Sequence, residues 1–449
     1  MTYADGVLPD AVSRDPHSQA WLIFVDLAPD TDIKTWLRDV ATPARDALVA
    51  GTVTDGDTEI DPDAVCTVGF GSTVFDKAGI SAVRPSGLAA ALPPNVPSAA
   101  HDLVFYVFTR ADVLVASFLR TLAATDPAKI VGLLVERGYQ RADKREIFGN
   151  RDGLRNGTPT SRPNIAFVPG YSDEPSWTHG GSYLAYLKVT QDVEAWQALS
   201  PEEQAAVIGR KADGTRADLP DGTPATEEGE FTQEAVPPAT AHIRKAGPRG
   251  AENDPVQIFR RGVPFVEVTD NKVVEGLQFV SYQANIADFL TILGRWMNNA
   301  NFPAAGTGID ALFQHGLATI AHGGLYFAVP HDPRFIGAGA FDDPNQGGHL
   351  RIVVQVTDAS GAQDPAATLA GATFTITDPA GVSQTAVTTA SGCVTVSMLP
   401  IDQPLTVSQT VAPAGASVAA PQTVTLNRCT QSTLTFIDAR TASPGGYGT

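Results

Sequence analysis

Ala20-Trp21-Leu22-Ile23-Phe24-Val25-Asp26-Leu27 is an apolar run broken only by Asp26 and closed by Pro29. A short run of this kind, stopped by proline, reads as a buried strand. From Asp30 to Ala50 the apolar residues change spacing to Ile33, Trp36, Leu37, Val40, Ala44, Ala47 and Leu48. That is the helical period, with Asp30, Thr31 or Asp32 placed to cap its start. Cys66–Gly71 and Asp102–Phe108 read as two more strands, with a helix over Ala111–Ala124 behind the second. The same grammar returns with a strand at Gly181–Val189, a helix from Val193 to Ile208 and a strand at Gly276–Tyr282. A helix from Asn285 to about Met297 and a last strand at Leu325–Pro330 complete it. Corresponding pieces lie roughly 165–175 residues apart, a two-fold repeat of pattern rather than of residues. The pattern predicts an α+β fold of two ferredoxin-like halves, about 20–150 and 180–330. Their antiparallel sheets would meet around a pocket, in the manner of a dimeric α+β barrel.

Between the halves, Val135 to His179 reads as loop and contains Phe148-Gly149-Asn150-Arg151-Asp152-Gly153. Lys211 to Ala241 is a second long loop, rich in Gly, Pro, Asp and Glu; loops of that length are commonly functional or disordered. The first domain ends near residue 345, after a Gly/Asp/Pro-rich linker from His331 to His349. Residues 350–440 are dense in Thr, Val, Ala and Ser, in short alternating runs at 351–356, 372–376, 393–396, 405–408, 422–426 and 433–436. That is the pattern of an all-β sandwich. Residues 441–449 read as a disordered tail. Cys393 and Cys429 both fall in this segment and have the option of pairing. With Cys66 they show no zinc or iron–sulfur spacing.

The chain of 449 residues carries a formal charge of -18, which argues against nucleic acid and against anionic membrane surfaces. No apolar run reaches the ~18–20 residues that span a bilayer. The N-terminus lacks a basic region followed by an apolar one, so a cytoplasmic location is the default and export stays open. No GxSxG, HExxH or strand–GxGxxG–helix pattern is present, which removes support for hydrolase and dinucleotide readings.

Chemistry concentrates in Ala241-His242-Ile243-Arg244-Lys245-Ala246-Gly247-Pro248-Arg249 and Phe259-Arg260-Arg261-Gly262-Val263-Pro264-Phe265. Read as residues alone, His242 is a structural histidine or a metal ligand. Arg151-Asp152-Gly153 is an ordinary turn or a placed carboxylate, and the arginine pair is a surface ion pair or an anion site. Asp310, in Gly308-Ile309-Asp310-Ala311-Leu312, reads as a helix N-cap. Trp177, Trp196, Trp296, Tyr183 and Tyr326 are core aromatics or electron relays, with core the commoner fate.

Taken together, His-Ile-Arg-x-Ala-x-Pro-Arg, Arg-Arg-Gly-x-Pro-Phe starting eighteen residues after the histidine, and Gly149-Asn150-Arg151-Asp152-Gly153 resemble the dye-decolourising peroxidase family over residues 20–330. Leu369–Phe374 with Ala390–Cys393 resembles the prealbumin-like repeats of bacterial surface proteins. The first resemblance implies one haem b per chain on His242, with Gly153, Leu154, Arg155, Gly247, Pro248, Arg249 and Arg260 around it. Asp310 would accept from the second ring nitrogen of the histidine. It implies Asp152 as the distal acid/base, and Arg260, or failing that Arg261, as the distal charge stabiliser. Hydrogen peroxide would be reduced and dyes or phenols oxidised through a ferryl porphyrin-radical intermediate. The family usually has Asn where Gly247 stands, so a backbone contact would survive there and a side-chain one would not. Two other readings are a haem-binding or iron-handling protein with little turnover, and a surface binding protein acting through the C-terminal β domain. A homo-oligomer is compatible with each.

Overall fold

The computed structural model describes residues 3–8, 18–51, 60–125, 129–217, 237–250, 253–341, 348–379, 381–400, 403–427 and 431–441. Residues up to Ala340 pack as one unit and those from Phe341 onward as another.

In the first unit the opening strand is β1 (Gln19–Leu27), followed by β2 (Val65–Gly71), β3 (Leu103–Thr109) and β4 (Ile130–Tyr139). They stand in the antiparallel order β4-β1-β3-β2, with helices after β1 and β3, which is the ferredoxin-like arrangement. The second half repeats it with β5 (Ser182–Gln191), β6 (Phe259–Arg260), β7 (Val263–Thr269), β8 (Lys272–Gln283) and β9 (Ala318–Ala328). Here the order is β9-β5-β8-β6, and β7 also pairs with β8. One seam between the halves is the β2–β9 ladder, Gly69↔Ala328 to Gly71↔Tyr326.

At the opposite seam β4 meets β7 and β8. Lys188 Nζ lies 2.7 Å from Glu136 and 3.0 Å from Glu267, and Gln278 donates to Glu136 at 3.1 Å, all nearly or fully inside except Glu267. Gly138 is glycine because a Cβ there would come within 2.3 Å of Val263 Cγ2 and 2.9 Å of the Pro264 carbonyl. The two sheets therefore share one core: Leu22, Phe24, Val104 and Tyr106 pack with Leu184, Tyr186, Val280, Tyr282 and Tyr326. On the other face of β3, Phe105 packs on Phe118 of the helix Asp112–Thr125, with ring centroids 5.1 Å apart. Strands covered on both faces read as unbroken apolar runs, which is why they were legible.

The first helix runs from Ile33 to Val49 through a π turn at Leu37–Ala41, and Asp32 caps it by accepting from Thr35 N at 3.1 Å. The helix expected over Val193–Ile208 is two, the second opening at Pro201 with a capping box formed by Ser200 and Glu203. The loop expected from Val135 is a correction, since Val135 to Tyr139 complete β4. Glu136, Arg137 and two glycines hide that strand from a hydropathy reading. β7 was equally hidden, because Pro264 argues against any but an edge strand. No helix among the described residues is long and apolar enough to cross a membrane.

The second unit is a β-sandwich. One sheet holds β10 (Gly348–Thr357), β13 (Cys393–Leu399) and β16 (Gln431–Ala439). The other holds β11 (Thr373–Thr377), β12 (Ser383–Val387), β14 (Pro404–Val411) and β15 (Gln422–Thr425). Leu350, Ile352, Val354 and Phe436 face Phe374, Ile376, Leu405 and Val407 across the core. β12, Ser-Gln-Thr-Ala-Val, is too polar to have been read as a strand. Cys429, residues 442–449 of the tail, and residues 218–236 of the long loop lie outside the described residues.

Candidate functional site

His242 opens a short helix, His242–Ala246, that packs against the helical segment Thr291–Met297. Its Nδ1 lies 2.8 Å from Asp310 Oδ2. Asp310 is completely buried, and its other oxygen accepts from Leu312 N at 3.0 Å. The two readings of Asp310 are thus both true of one side chain: it caps the turn Ala311–Gln314 and holds the imidazole. Its place is set from both sides, because Asp310 N donates to Met297 O at 2.9 Å and Ala311 N to Thr240 O at 2.8 Å.

A carboxylate on Nδ1 selects the tautomer with Nδ1–H and leaves the Nε2 lone pair for an electrophile. Burial works to lower the pKa of His242, yet the charge and hydrogen bond of Asp310 outweigh it and hold the ring above its ordinary value. Arg260 acts on the same ring in the lowering direction and Glu146 in the raising one, so both charges are felt at His242.

The second component is the loop carrying Asp152. Arg145 and Arg151 form an antiparallel bridge, and Asp152 N donates to Lys144 O at 3.1 Å just beyond it. Gly149 and Gly153 take φ of 90° and 82°, conformations open to glycine at little cost. The Asp152 side chain is exposed and accepts from Gly153 N at 2.6 Å. Asn156 then clasps Arg260 like a strand partner: its Oδ1 accepts from Arg260 N and its Nδ2 donates to Arg260 O, each at 2.8 Å. The Arg260 guanidinium donates to Leu154 O at 2.7 Å. Arg155, at a φ of 52°, reaches the third component, donating to Gly247 O at 2.9 Å and to Asp254 at 2.7 Å. Arg249 also donates to Gly247 O, so the contact made at this position runs through the carbonyl and needs no side chain. Burial, with the neighbouring charges of Arg155 and Arg210, pushes the pKa of Arg249 down to about 10. Guanidiniums crowded this way favour an anionic ligand.

The arginine pair separates cleanly. Arg260 belongs to this loop. Arg261 is buried, donates to the carbonyls of Gly6, Val7 and Leu8, and lies 4.7 Å from the Phe108 ring centroid. It anchors the N-terminal segment and is not available as a substitute. Of the aromatics, Trp196, Trp296, Tyr183 and Tyr326 are buried, and Trp177 is half-buried with Nε1 donating to Val83 O at 2.8 Å. Sequence reasoning passed over Asn156 and Glu146. The Asn156-Gly157 pair, spaced four residues after Asp152-Gly153, was the signal for the first. For the second there was none.

Residues 143–333 match the family model described as "Dyp-type peroxidase, C-terminal". The chain is similar to "Dye-decolorizing peroxidase" of Brevibacterium linens, 26% identical over 217 residues, covering 46% of this chain and 55% of that protein. It is also similar to "Deferrochelatase" of Yersinia pestis, 31% identical over 156 residues, covering 33% and 36%. The match thus spans about half or less of the length of these curated relatives. Among solved structures, a DyP-type peroxidase from Cellulomonas bogoriensis superposes with a TM-score of 0.60 at 20% identity, covering 76% of this chain and 97% of its own. Ferric DtpA from Streptomyces lividans does so with a TM-score of 0.60 at 22% identity, covering 76% and 96%. At such identities the likeness establishes the fold.

Proposed function

We propose that this chain is a haem-dependent peroxidase of the Dyp type that reduces hydrogen peroxide and oxidises dyes and phenolic donors, a reading supported by its likeness to that family. One observation carries the reading: Asp310 holds His242 by Nδ1 at 2.8 Å and leaves Nε2 for a metal. The residues fit a haem b. His242 would ligate the iron, and Gly247, Pro248 and Leu154 would lie against the macrocycle. The crowded cations Arg155 and Arg249 would meet its carboxylates. Bound there, the haem supplies an iron that accepts peroxide and passes oxidising power to donors one electron at a time.

The protein's own groups handle protons and charge. Asp152 takes the proton from one peroxide oxygen and returns it to the other, a transfer that a single carboxylate can make in both directions. Arg260 steadies the negative charge on the departing oxygen, and its contact with Leu154 O keeps it beside the loop that carries Asp152. Asp310 strengthens His242 as a donor to iron.

The likeness to a deferrochelatase favours a second reading, a haem-binding or iron-handling protein with little turnover. That function needs His242 and Asp310 but not Asp152 or Arg260. The test is the absorption spectrum of haem-loaded protein before and after one equivalent of hydrogen peroxide, in wild type and Asp152→Asn. A band that peroxide converts quickly in wild type and at least about 100-fold more slowly in the variant supports the peroxidase. A band indifferent to peroxide favours the second reading, and no haem uptake ends both.

A further inference from the structure

The turn that presents Asp152 is built around a carboxylate with no cation at hydrogen-bonding distance among the described residues. Glu146 Oε1 accepts from Asn150 N and from Asn150 Nδ2, both at 2.9 Å. Its Oε2 accepts from Phe148 N at 2.9 Å and from Gln191 Nε2 at 3.0 Å. Four donors converge on two oxygens, so both carboxylate oxygens are used as acceptors within the turn, although burial outweighs these hydrogen bonds and pushes the carboxyl's pKa up. The backbone closes around it: Glu146 N donates to Asn150 O at 3.0 Å and Gly149 N to Glu146 O at 2.9 Å. The turn is then pinned to the scaffold. Phe148 stacks on Trp196 at 4.5 Å and its carbonyl accepts from Trp196 Nε1 at 3.1 Å, while Gln191 is the last residue of β5. Asp152 follows two residues after the Asn150 that Glu146 holds twice.

We propose that Glu146 is a positioning residue for the peroxide reaction: it locks residues 146–150 to the end of β5, so fixing Asp152. The inference rests on the peroxidase reading. Glutamine cannot replace it, since one amide oxygen would meet two of the four donors and the NH₂ would face the others.

The test compares wild type, Glu146→Gln and the milder Gln191→Met, in two measurements. Hydrogen exchange on the haem-free proteins should show the amides of Phe148, Asn150 and Asp152 losing protection in Glu146→Gln, and in part in Gln191→Met, while β5 amides stay protected. In the haem-loaded proteins the rate of reaction with peroxide should fall about 100-fold in Glu146→Gln, the scale of a misplacement near 1 Å. The double variant Glu146→Gln with Asp152→Asn should be no slower than Asp152→Asn alone, because Glu146 acts through Asp152. A purely structural role would slow the double variant further than Asp152→Asn alone. Unchanged exchange, an unchanged peroxide rate or a double variant slower than Asp152→Asn would each overturn the proposal, as would failure of the variants alone to take up haem. Failure of wild type to take up haem, with the exchange result intact, overturns the peroxidase reading instead and takes the positioning role with it.

Discussion

Asp310 offers a sharp test because its two oxygens serve two different donors, His242 Nδ1 at 2.8 Å and Leu312 N at 3.0 Å, with no solvent to substitute for either. Asp310→Ala removes both acceptors, and loss of a partner of this kind lowers metal affinity by roughly 10–100-fold. It also removes the cap, at about 1 kcal/mol. Asp310→Asn behaves differently, since an amide has one oxygen. If that oxygen stays with Leu312 N, the amide NH₂ faces Nδ1 and turns it into the acceptor. The proton then moves to Nε2, the nitrogen wanted for iron. Freeing Nε2 means breaking a hydrogen bond of about 1.5 kcal/mol, roughly a further ten-fold in affinity. The order of haem affinity should therefore be wild type, then Asp310→Ala, then Asp310→Asn. The order of haem-free stability should put Asp310→Asn above Asp310→Ala. Absorbance titration of the haem-free proteins gives the first order and their thermal unfolding the second. Asp310→Asn binding haem as well as Asp310→Ala, or better, would refute the tautomer argument.

Other expectations follow from the barrel seam and the arginine pair. Lys188→Met strands Glu136 inside and should destabilise by roughly 3–5 kcal/mol in urea unfolding; adding Glu136→Gln should recover most of it, and no recovery would show that the pair is not the unit. Burial pushes the Glu136 carboxyl up, but His322, Lys188 and Gln278 outweigh it and hold it below its usual 4.5. Its contribution to stability is therefore present above that pH and lost as the pH falls through the depressed value, so the melting-temperature gap between wild type and Glu136→Gln should be flat near neutrality and close only in acid. Gly138→Ala should cost about 1–3 kcal/mol through overpacking against Val263, a result absent if β4 and β7 stand apart in solution. Arg260→Lys should slow the peroxide reaction and leave the melting temperature within about 2 °C. Arg261→Lys should do the reverse and open residues 6–8 to proteolysis, and an exchange of these phenotypes would swap the two assignments.

The ferredoxin-like halves were readable because their central strands are covered on both faces, so β1, β3 and β5 stand out as apolar runs without help from their neighbours. β4 and β7 carry Glu136, Arg137 and Pro264, and their strand character comes from the ladders they make with β1 and β8. Chemistry followed the same division. Residue chemistry in sequence-local patterns brought His242, Asp152 and Arg260 forward; resemblance assigned their roles and added Asp310.

Three matters were beyond any linear reading. Arg260 and Arg261 are adjacent and chemically identical, yet strand alternation sends one to the Leu154 carbonyl and the other to the N-terminal segment. Asp310 is both cap and histidine partner because the turn it starts abuts the His242 helix, 68 residues away in the chain. Glu146 looks like one more surface carboxylate until Gln191 and Trp196, both from beyond residue 190, close over its turn. The one-dimensional pattern sets which groups are available, since periodicity and residue chemistry are local. Which groups meet, and in what protonation state, is set by burial and by distances between segments remote in sequence, which only the folded chain has.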